Sequence, residues 1–491
     1  MGTPQTIDIK TYADSTGVFE TRPLVNESVL KATELLNINH QNYHIYIHNL
    51  GLHSMQADVT EKTTYLSNFS LDHILHHLLA ILSLGGTAEQ LSQAYVLAVD
   101  SQRSTRPPDV RVVSDFADPE KFKLFLGKGK YYDDYFAYFQ NEISENGVPS
   151  TVTEFLFKGD ERAEDMLQRF FSGFLHSPIH LAYAMEFDQP LVVAEALALT
   201  AIHDCSFGQI LAQIEQVARH SPINESLINL QRGIYDNVKL RQAMDYAHGV
   251  SQIRDGLLVN AKPQFMSLMS AWKVQPHELE EKTAESLNST LYWTALAQRP
   301  EKQIRFDFFL MHSITAGSLW PVFNSVSWIT SETKCRLLEW KGRADLMLYC
   351  QSGAPSIKTD ELTCYQPRSP SGWSEIFRRA CDYKDDGHLV KFIRGIATAE
   401  QLARPFPAKT HFMLKTTDHF LRIAHMVIDS AEQFNFESVE QEVEMICAKY
   451  EYPRIMSTEI QRVTARWPRH VGFEESWFHV PARKPRTSAR F

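Results

Sequence analysis

Long apolar runs are missing from this chain. No stretch of its 491 residues reaches eighteen uninterrupted apolar positions. The longest candidate, PLVVAEALALTAIH at 190–203, is broken by Glu195 and reads as a core helix, not a membrane span. Cysteine is scarce: six residues, at 205, 335, 350, 364, 381 and 447, form no C-x-x-C pair and no repeating short spacing. They read as reduced thiols of a cytosolic-type environment, not a disulfide framework. A surplus of positive charge is also absent. The net charge of −10, with Lys and Arg scattered, excludes the basic stripe that a nucleic-acid surface needs. Several catalytic signatures are missing too. No G-x-G-x-x-G opens a helix after a strand, GKGK at 127–130 lacks the spacing and hydroxyl of a phosphate loop, and no G-x-S-x-G elbow or cysteine-nucleophile signature occurs. Redox chemistry would therefore need a metal.

What is present is a globular composition, 44% apolar and 22% charged, sufficient for a sizeable core. After about residue 70, apolar residues recur at three and four, so the fold is expected to be mainly α: one large multi-helix catalytic core, with minor β or irregular segments near the N-terminus. The expected layout is an N-terminal segment (1–65) packed on the core, a helical core over 66–480, and a flexible basic tail over 481–491. One helix is expected over 71–84, stopped by Gly85 and Gly86, with Thr87 and Gln90 as the capping box of the next. Ser177 and Pro178 read as cap and first position of a helix, and DQP at 188–190 opens another through His203. Pro300 and Pro321 bracket a third apolar helix, and Asp385 and Asp386 precede a fourth. Stretches 101–130 and 351–374 read as loops. The start MGTPQTIDIK lacks a signal peptide's regions, so a cytoplasmic location is expected, with a distant peroxisomal address in the final ARF as the alternative.

Histidine is the informative residue: there are 20, and they cluster. In DHILHHL, His73 and His77 are four apart on one helical face, the logic by which H-x-x-x-H pairs grip a metal, while His76 points about 100° away. A surface motif or a satisfied buried network fits the same spacing. FLHSPIH adds His176 and His180; with the helix starting at Pro178, His180 is the better ligand and His176 a neighbour. His312, in DFFLMHSI, is by itself an ordinary core imidazole. Lys391 sits in HLVKFIRGI among apolar neighbours, where burial disfavours its charged form. A neutral amine there can add CO₂ and become an anionic carbamate, although the segment alone fits a snorkelling lysine better.

Six ordered blocks join these residues: DHILHHLLAILSLGGT, GKGKYYDDYFAYFQNEI, GFLHSPIHLAYAMEF, QRPEKQIRFDFFLMHSIT, RLLEWKGRADLMLY and IFRRACDYKDDGHLVKFIRGI. Together, from about residue 40 to 430, they resemble the questin oxidase-like family of fungal secondary metabolism. The resemblance implies a Baeyer–Villiger-type or ring-cleaving oxygenase that opens anthraquinones to benzophenone or xanthone precursors, with O₂ and a small aromatic polyketide as substrates. It further implies a mononuclear non-haem Fe²⁺ held by histidines and a carboxylated Lys391, with no flavin. On this sequence the expected metal ligands are His73, His77, His180, His312 and Lys391, and His388, His176 and His76 are expected in catalytic or supporting roles. Four imidazoles and one carbamate oxygen would fill five positions of an octahedral ion and leave one for dioxygen. Departures from the family pattern are SLDH in place of FHNH, the shifted proline of HSPIH, and His425 in RIAHMVID. Tyr183, Trp293, Trp320 and Trp373 are candidates for stacking on a flat substrate. Two rival readings are a metal-independent oxidase with NADPH as external reductant, and a non-catalytic polyketide-binding scaffold. The sequence leaves the oligomeric state open.

Overall fold

The computed structural model describes residues 3–10, 24–47, 73–99, 102–435, 437 and 466–483. Asp72, residues 48–65 of the N-terminal segment and the tail beyond 483 lie outside them. The principal elements are α1 (Asn26–Asn42), β1 (Tyr43–Ile47), α2 (Ile74–Ser83), α3 (Ala88–Val99), β2 (Gln102–Ser104), α4 (Tyr132–Val152), α5 (His176–Glu186) and α6 (Pro190–Ile202), followed by α7 (Leu279–Leu296), α8 (Phe308–Ser325), α9 (Ser331–Gln351), α10 (His388–Ala403) and α11 (Thr417–Glu432). The fold is mainly α, as the periodicity requires. Its described strands form one two-stranded antiparallel ribbon, with Tyr43 opposite Ser104 and Ile47 opposite Gln102.

Helix α2 is buried on every face, all ten of its residues included, the pattern of a central helix. It ends where the sequence predicts. Gly85 takes φ +79°, the Gly86 N–H returns to the Ile81 carbonyl at 2.9 Å, and these left-handed closing contacts suit glycine. Thr87 and Gln90 then exchange backbone and side-chain hydrogen bonds at 2.8 and 3.2 Å, forming the expected capping box of α3. Helix α10 is the axle of the molecule and packs against α2, α7, α8 and α11. On its other side α2 meets α1 and α5, and α5 packs on α6 and α8. Ile7, Ile9 and the inner face of α1 join the same buried cluster as the core helices.

Three boundaries differ from the sequence reading. Helix α5 begins at His176, so Ser177 is not its cap and Pro178 is its third residue. The reason is a run of left-handed backbone before it, Gly173, Phe174 and Leu175 at φ +56°, +54° and +66°, which turns the chain into the helix early. Pro178 is tolerated because N–H groups in a helix's first turn have no intrahelical acceptor. Helix α8 begins at Phe308, capped by the Asp307 carboxylate, which accepts from the N–H groups of Phe309 and Leu310 at 2.8 and 3.1 Å; it then runs through Pro321 without the backbone bond that residue cannot donate. Within 101–130 the chain forms β2 and two short helices, Val110–Asp115 and Pro119–Phe125, each capped by an aspartate. Among the described residues, no single helix is long and apolar enough to cross a membrane.

Candidate active site

The histidines of α2 and α5 face one another as two rungs. Nε2 of His73 lies 3.1 Å from Nε2 of His176, with the rings 4° from parallel. One turn along, Nε2 of His76 lies 3.1 Å from Nδ1 of His180. A spacing of three on α2 thus meets a spacing of four on α5, because neighbouring turns of two packed helices advance together. Two further imidazoles complete the cluster. The His312 ring centroid lies 5.1 Å from that of His176 and 5.3 Å from that of His388, and His388 is 4.7 Å from His73, edge to face.

The tautomers follow from the outer nitrogens. A carbonyl can only accept, so Nδ1 of His176, 2.5 Å from the Gly173 oxygen, and Nδ1 of His312, 2.6 Å from the Phe308 oxygen, each carry a proton. Nδ1 of His388 is likewise 2.7 Å from the Asp386 carboxylate, whose other oxygen lies 3.6 Å from Nδ1 of His73. A neutral imidazole protonated at Nδ1 bears its lone pair on Nε2. The Nε2 atoms of His312 and His388 are buried and have no hydrogen-bond partner among the described residues. Outer nitrogen on an oxygen acceptor and inner lone pair free is the arrangement by which proteins orient histidine for a metal ion. The donor set therefore fits a borderline cation such as Fe²⁺.

Lys391 lies one helical turn beyond His388 and is 3% exposed. Its charge acts on His73, His76, His77, His176 and His312, which places it among them. Burial holds its amine down at about 8, against the opposing pull of Asp386 and Asp385. Burial, reinforced by Lys391, also holds His73 and His77 down at about 3. It likewise keeps His76, His176 and His312 well below the usual imidazole range, so these rings are neutral at neutral pH. Burial alone would raise Asp386, but His388 and His73 outweigh it and keep the carboxyl ionised.

A family profile described as Questin oxidase-like matches residues 71–396, the span that carries every group of this cluster. The chain belongs to the questin oxidase-like family. It is 34% identical to Oxidoreductase AflY of Aspergillus parasiticus over 98% of this chain and 94% of that protein. It is 32% identical to a Questin oxidase of Aspergillus fumigatus over 92% and 93%, and 32% identical to Baeyer-Villiger oxidase ptaJ of Pestalotiopsis fici over 82% and 88%. This questin oxidase-like chain is accordingly an oxidoreductase.

Of the residues singled out in the sequence, the structure brings His73, His76, His176, His180, His312, His388 and Lys391 together. His180 has both nitrogens engaged, Nδ1 with His76 and Nε2 with the Glu195 carboxylate at 3.1 Å. His77 makes no ring contact with another histidine among the described residues; it lies over Gly387, where a Cβ would come within 2.6 Å of its Cγ. Tyr183 stacks on His76 at 5.4 Å. Trp293 and Trp320 are buried core residues, Trp373 bonds Glu400, and His425 bonds Ser371. An aromatic border next to His312 comes instead from Phe308 and Phe174, at 4.6 and 6.0 Å.

Three groups around the cluster are not distinguished by the sequence reading. Position alone groups Asp386 with Asp385 as a helix-terminal charge. Only Asp385 caps α10, accepting from the N–H groups of Gly387 and Leu389 at 2.8 and 3.0 Å, while Asp386 turns to His388. The D-x-H spacing was the available signal. Glu195 looked like an interruption of an apolar helix, and a lone carboxylate inside such a run was itself a hint of a buried partner. His40, 2.9 Å from Glu195 across 155 residues of sequence, carried no signal.

Proposed function

We propose that the chain is a non-haem iron, O₂-dependent oxygenase that cleaves the central ring of an anthraquinone-type polyketide on the way to a benzophenone or xanthone precursor. The observation that carries the metal is the pair of buried Nε2 atoms on His312 and His388, which have no hydrogen-bond partner among the described residues and whose outer nitrogens are fixed by acceptors. His73, His176, His312 and His388 would hold the ion, and the carbamate of Lys391 would add the anionic oxygen. His77 and His180 then support the site from outside. What the bound ion supplies is activation of dioxygen beside the quinone carbonyl. The substrate class rests on the relatives, which are named questin oxidases and Baeyer–Villiger oxidases.

The chain's own residues supply the rest. Asp386 orients His388 and His73 together, and the carbonyls of Gly173 and Phe308 orient His176 and His312. Phe308 and Phe174 offer flat apolar surface beside His312, suited to an aromatic ring and to keeping water from the reacting carbon. His76, neutral and buried, would accept a phenolic proton at Nδ1 only as its own Nε2 proton passes to His180, so that no charged imidazolium has to form.

The test is anaerobic reconstitution with Fe²⁺ followed by ¹⁸O₂ and a panel of anthraquinones and their reduced forms. Ring-opened product labelled with ¹⁸O is expected, and turnover that persists after complete chelation would overturn the reading. The relatives' Baeyer–Villiger names favour one second reading, a metal-independent oxidase drawing on NADPH. The two separate cleanly. Starting from the reduced anthraquinone, incorporation of both oxygen atoms needs no external electrons, whereas insertion of one atom into the quinone releases the other as water and consumes two electrons from the reductant.

A further inference from the structure

A chain of hydrogen bonds leads from the histidine cluster through α5 and α6 to α1. Its inner end is Nδ1 of His76, which is buried and has no hydrogen-bond partner among the described residues. From there Nε2 of His76 reaches Nδ1 of His180 at 3.1 Å, Nε2 of His180 reaches Oε2 of Glu195 at 3.1 Å, and Oε1 of Glu195 meets Nδ1 of His40 at 2.9 Å. Exposure rises along the way, from 1% for the His180 side chain to 11% for those of Glu195 and His40. A small cavity lined by His40, His44, Tyr132, His180 and Glu195 adjoins the outer end. Four helices contribute one member each, α2, α5, α6 and α1.

The proton positions along this chain are fixed by its carboxylate. Burial by itself would raise Glu195, but the hydrogen bonds from His180 and His40 outweigh it and hold the carboxyl down at about 2, so it only accepts. With a single ring proton, His180 carries it on Nε2, facing the carboxylate, and offers a lone pair at Nδ1. That lone pair takes the Nε2 proton of His76, and His76 is left with a lone pair on the buried Nδ1.

We propose that Glu195 is a positioning residue that acts through His180 to present Nδ1 of His76 to the reaction site as a base, and that Glu195, His180 and His76 form the route by which a substrate proton reaches the cavity beside His40. The proposal rests on the reading that a phenolic polyketide reacts at this cluster. The transfer is redox-neutral. The substrate O–H bond breaks and its electron pair stays on oxygen as phenolate while an N–H bond forms at Nδ1 of His76. The Nε2 proton of His76 passes to Nδ1 of His180, the Nε2 proton of His180 passes to Oε2 of Glu195, and the neutralised carboxyl releases its proton to water.

The first test needs no substrate. In the full-length protein labelled with ¹⁵N-histidine, with resonances assigned by difference from His76→Gln and His180→Gln, both rings should be protonated at Nε2 and not at Nδ1. Protonation of His76 at Nδ1 would overturn the proposal, whatever becomes of the Glu195 variants. In Glu195→Gln the fixed tautomer of His180 should be lost; retention of both tautomers would overturn it. The second test is turnover of a reduced anthraquinone. Glu195→Gln should lower kcat by about 10²-fold with KM and metal content unchanged, and formate should restore part of the rate of Glu195→Ala. A fall in metal content proportional to the fall in kcat would show instead that the chain only holds a ligand in place. If the parent protein turns over no phenolic substrate, the substrate reading fails and the tautomers alone still decide the relay.

Discussion

His73 and His176, 103 residues apart in sequence, bring their Nε2 atoms to 3.1 Å with the rings 4° from parallel. Since the Gly173 carbonyl fixes the proton of His176 on Nδ1, its Nε2 lone pair faces His73 directly. A neutral His73 then donates from Nε2 into that lone pair. A cation of the kind proposed above would compete with His73 for it.

Asp386→Asn keeps the size of the side chain but removes the charge that sets the His388 tautomer and faces His73. Metal affinity, measured by competition with a chelator, should fall about 10–100-fold, while far-ultraviolet circular dichroism stays unchanged. Unaltered affinity would reduce Asp386 to a turn residue.

Lys391→Met should abolish iron retention and turnover, because it removes the anionic ligand while Leu389, Val390, Phe392 and Ile393 still pack. Parent protein in ¹³C-bicarbonate should show a carbamate carbon signal that the variant lacks. The metal-free stabilities should change in the opposite sense. The amine sits at about 8 when folded against 10.5 as its ordinary value. Stability of the parent is therefore lost as pH falls from 10.5 through 8 and the penalty is complete below that. At pH 7 the metal-free variant should gain roughly 3 kcal/mol in denaturant unfolding. A variant that holds stoichiometric iron would show that the ligand is misassigned.

Acid should unfold the metal-free protein early. His44, His73 and His77 are held at about 3 by burial, against 6.5 as the ordinary value. The unfolded chain binds protons at these sites before the folded one, so stability is lost as pH falls from 6.5 toward 3. Three such groups give a slope of about 4 kcal/mol per pH unit. A pH-independent transition midpoint between 6.5 and 4 would contradict the buried, neutral assignment.

Gly387→Ala should damage the site from the backbone. The residue sits at φ +89°, and a Cβ would approach Cγ of His77 to 2.6 Å. A stability cost of about 1–3 kcal/mol is expected, together with weakened metal retention, since the same turn carries Asp386 and His388. Normal metal content in a destabilised variant would confine Gly387 to a structural role.

The sequence by itself determined the helical class, the C-terminal end of α2, the capping box before α3 and the membership of the histidine blocks. These depend on local chemistry, periodicity, glycine stops and side-chain caps, which act within a few residues. It also singled out the residues from which the site is built, because imidazoles in apolar helices are costly enough to need a reason. What only the tertiary structure decided is how those imidazoles pair. Helical spacing grouped His73 with His77 and set His176 outside its helix. The left-handed turn at Gly173–Leu175 starts α5 early and carries His176 to His73, and the packing of α2 on α5 sets His76 against His180. Which nitrogen of each ring is free depends on acceptors as distant as Glu195 and as near as Asp386. A proton's position on an imidazole is fixed by whatever oxygen lies beyond its far nitrogen, and sequence spacing carries no record of that neighbour unless it is local.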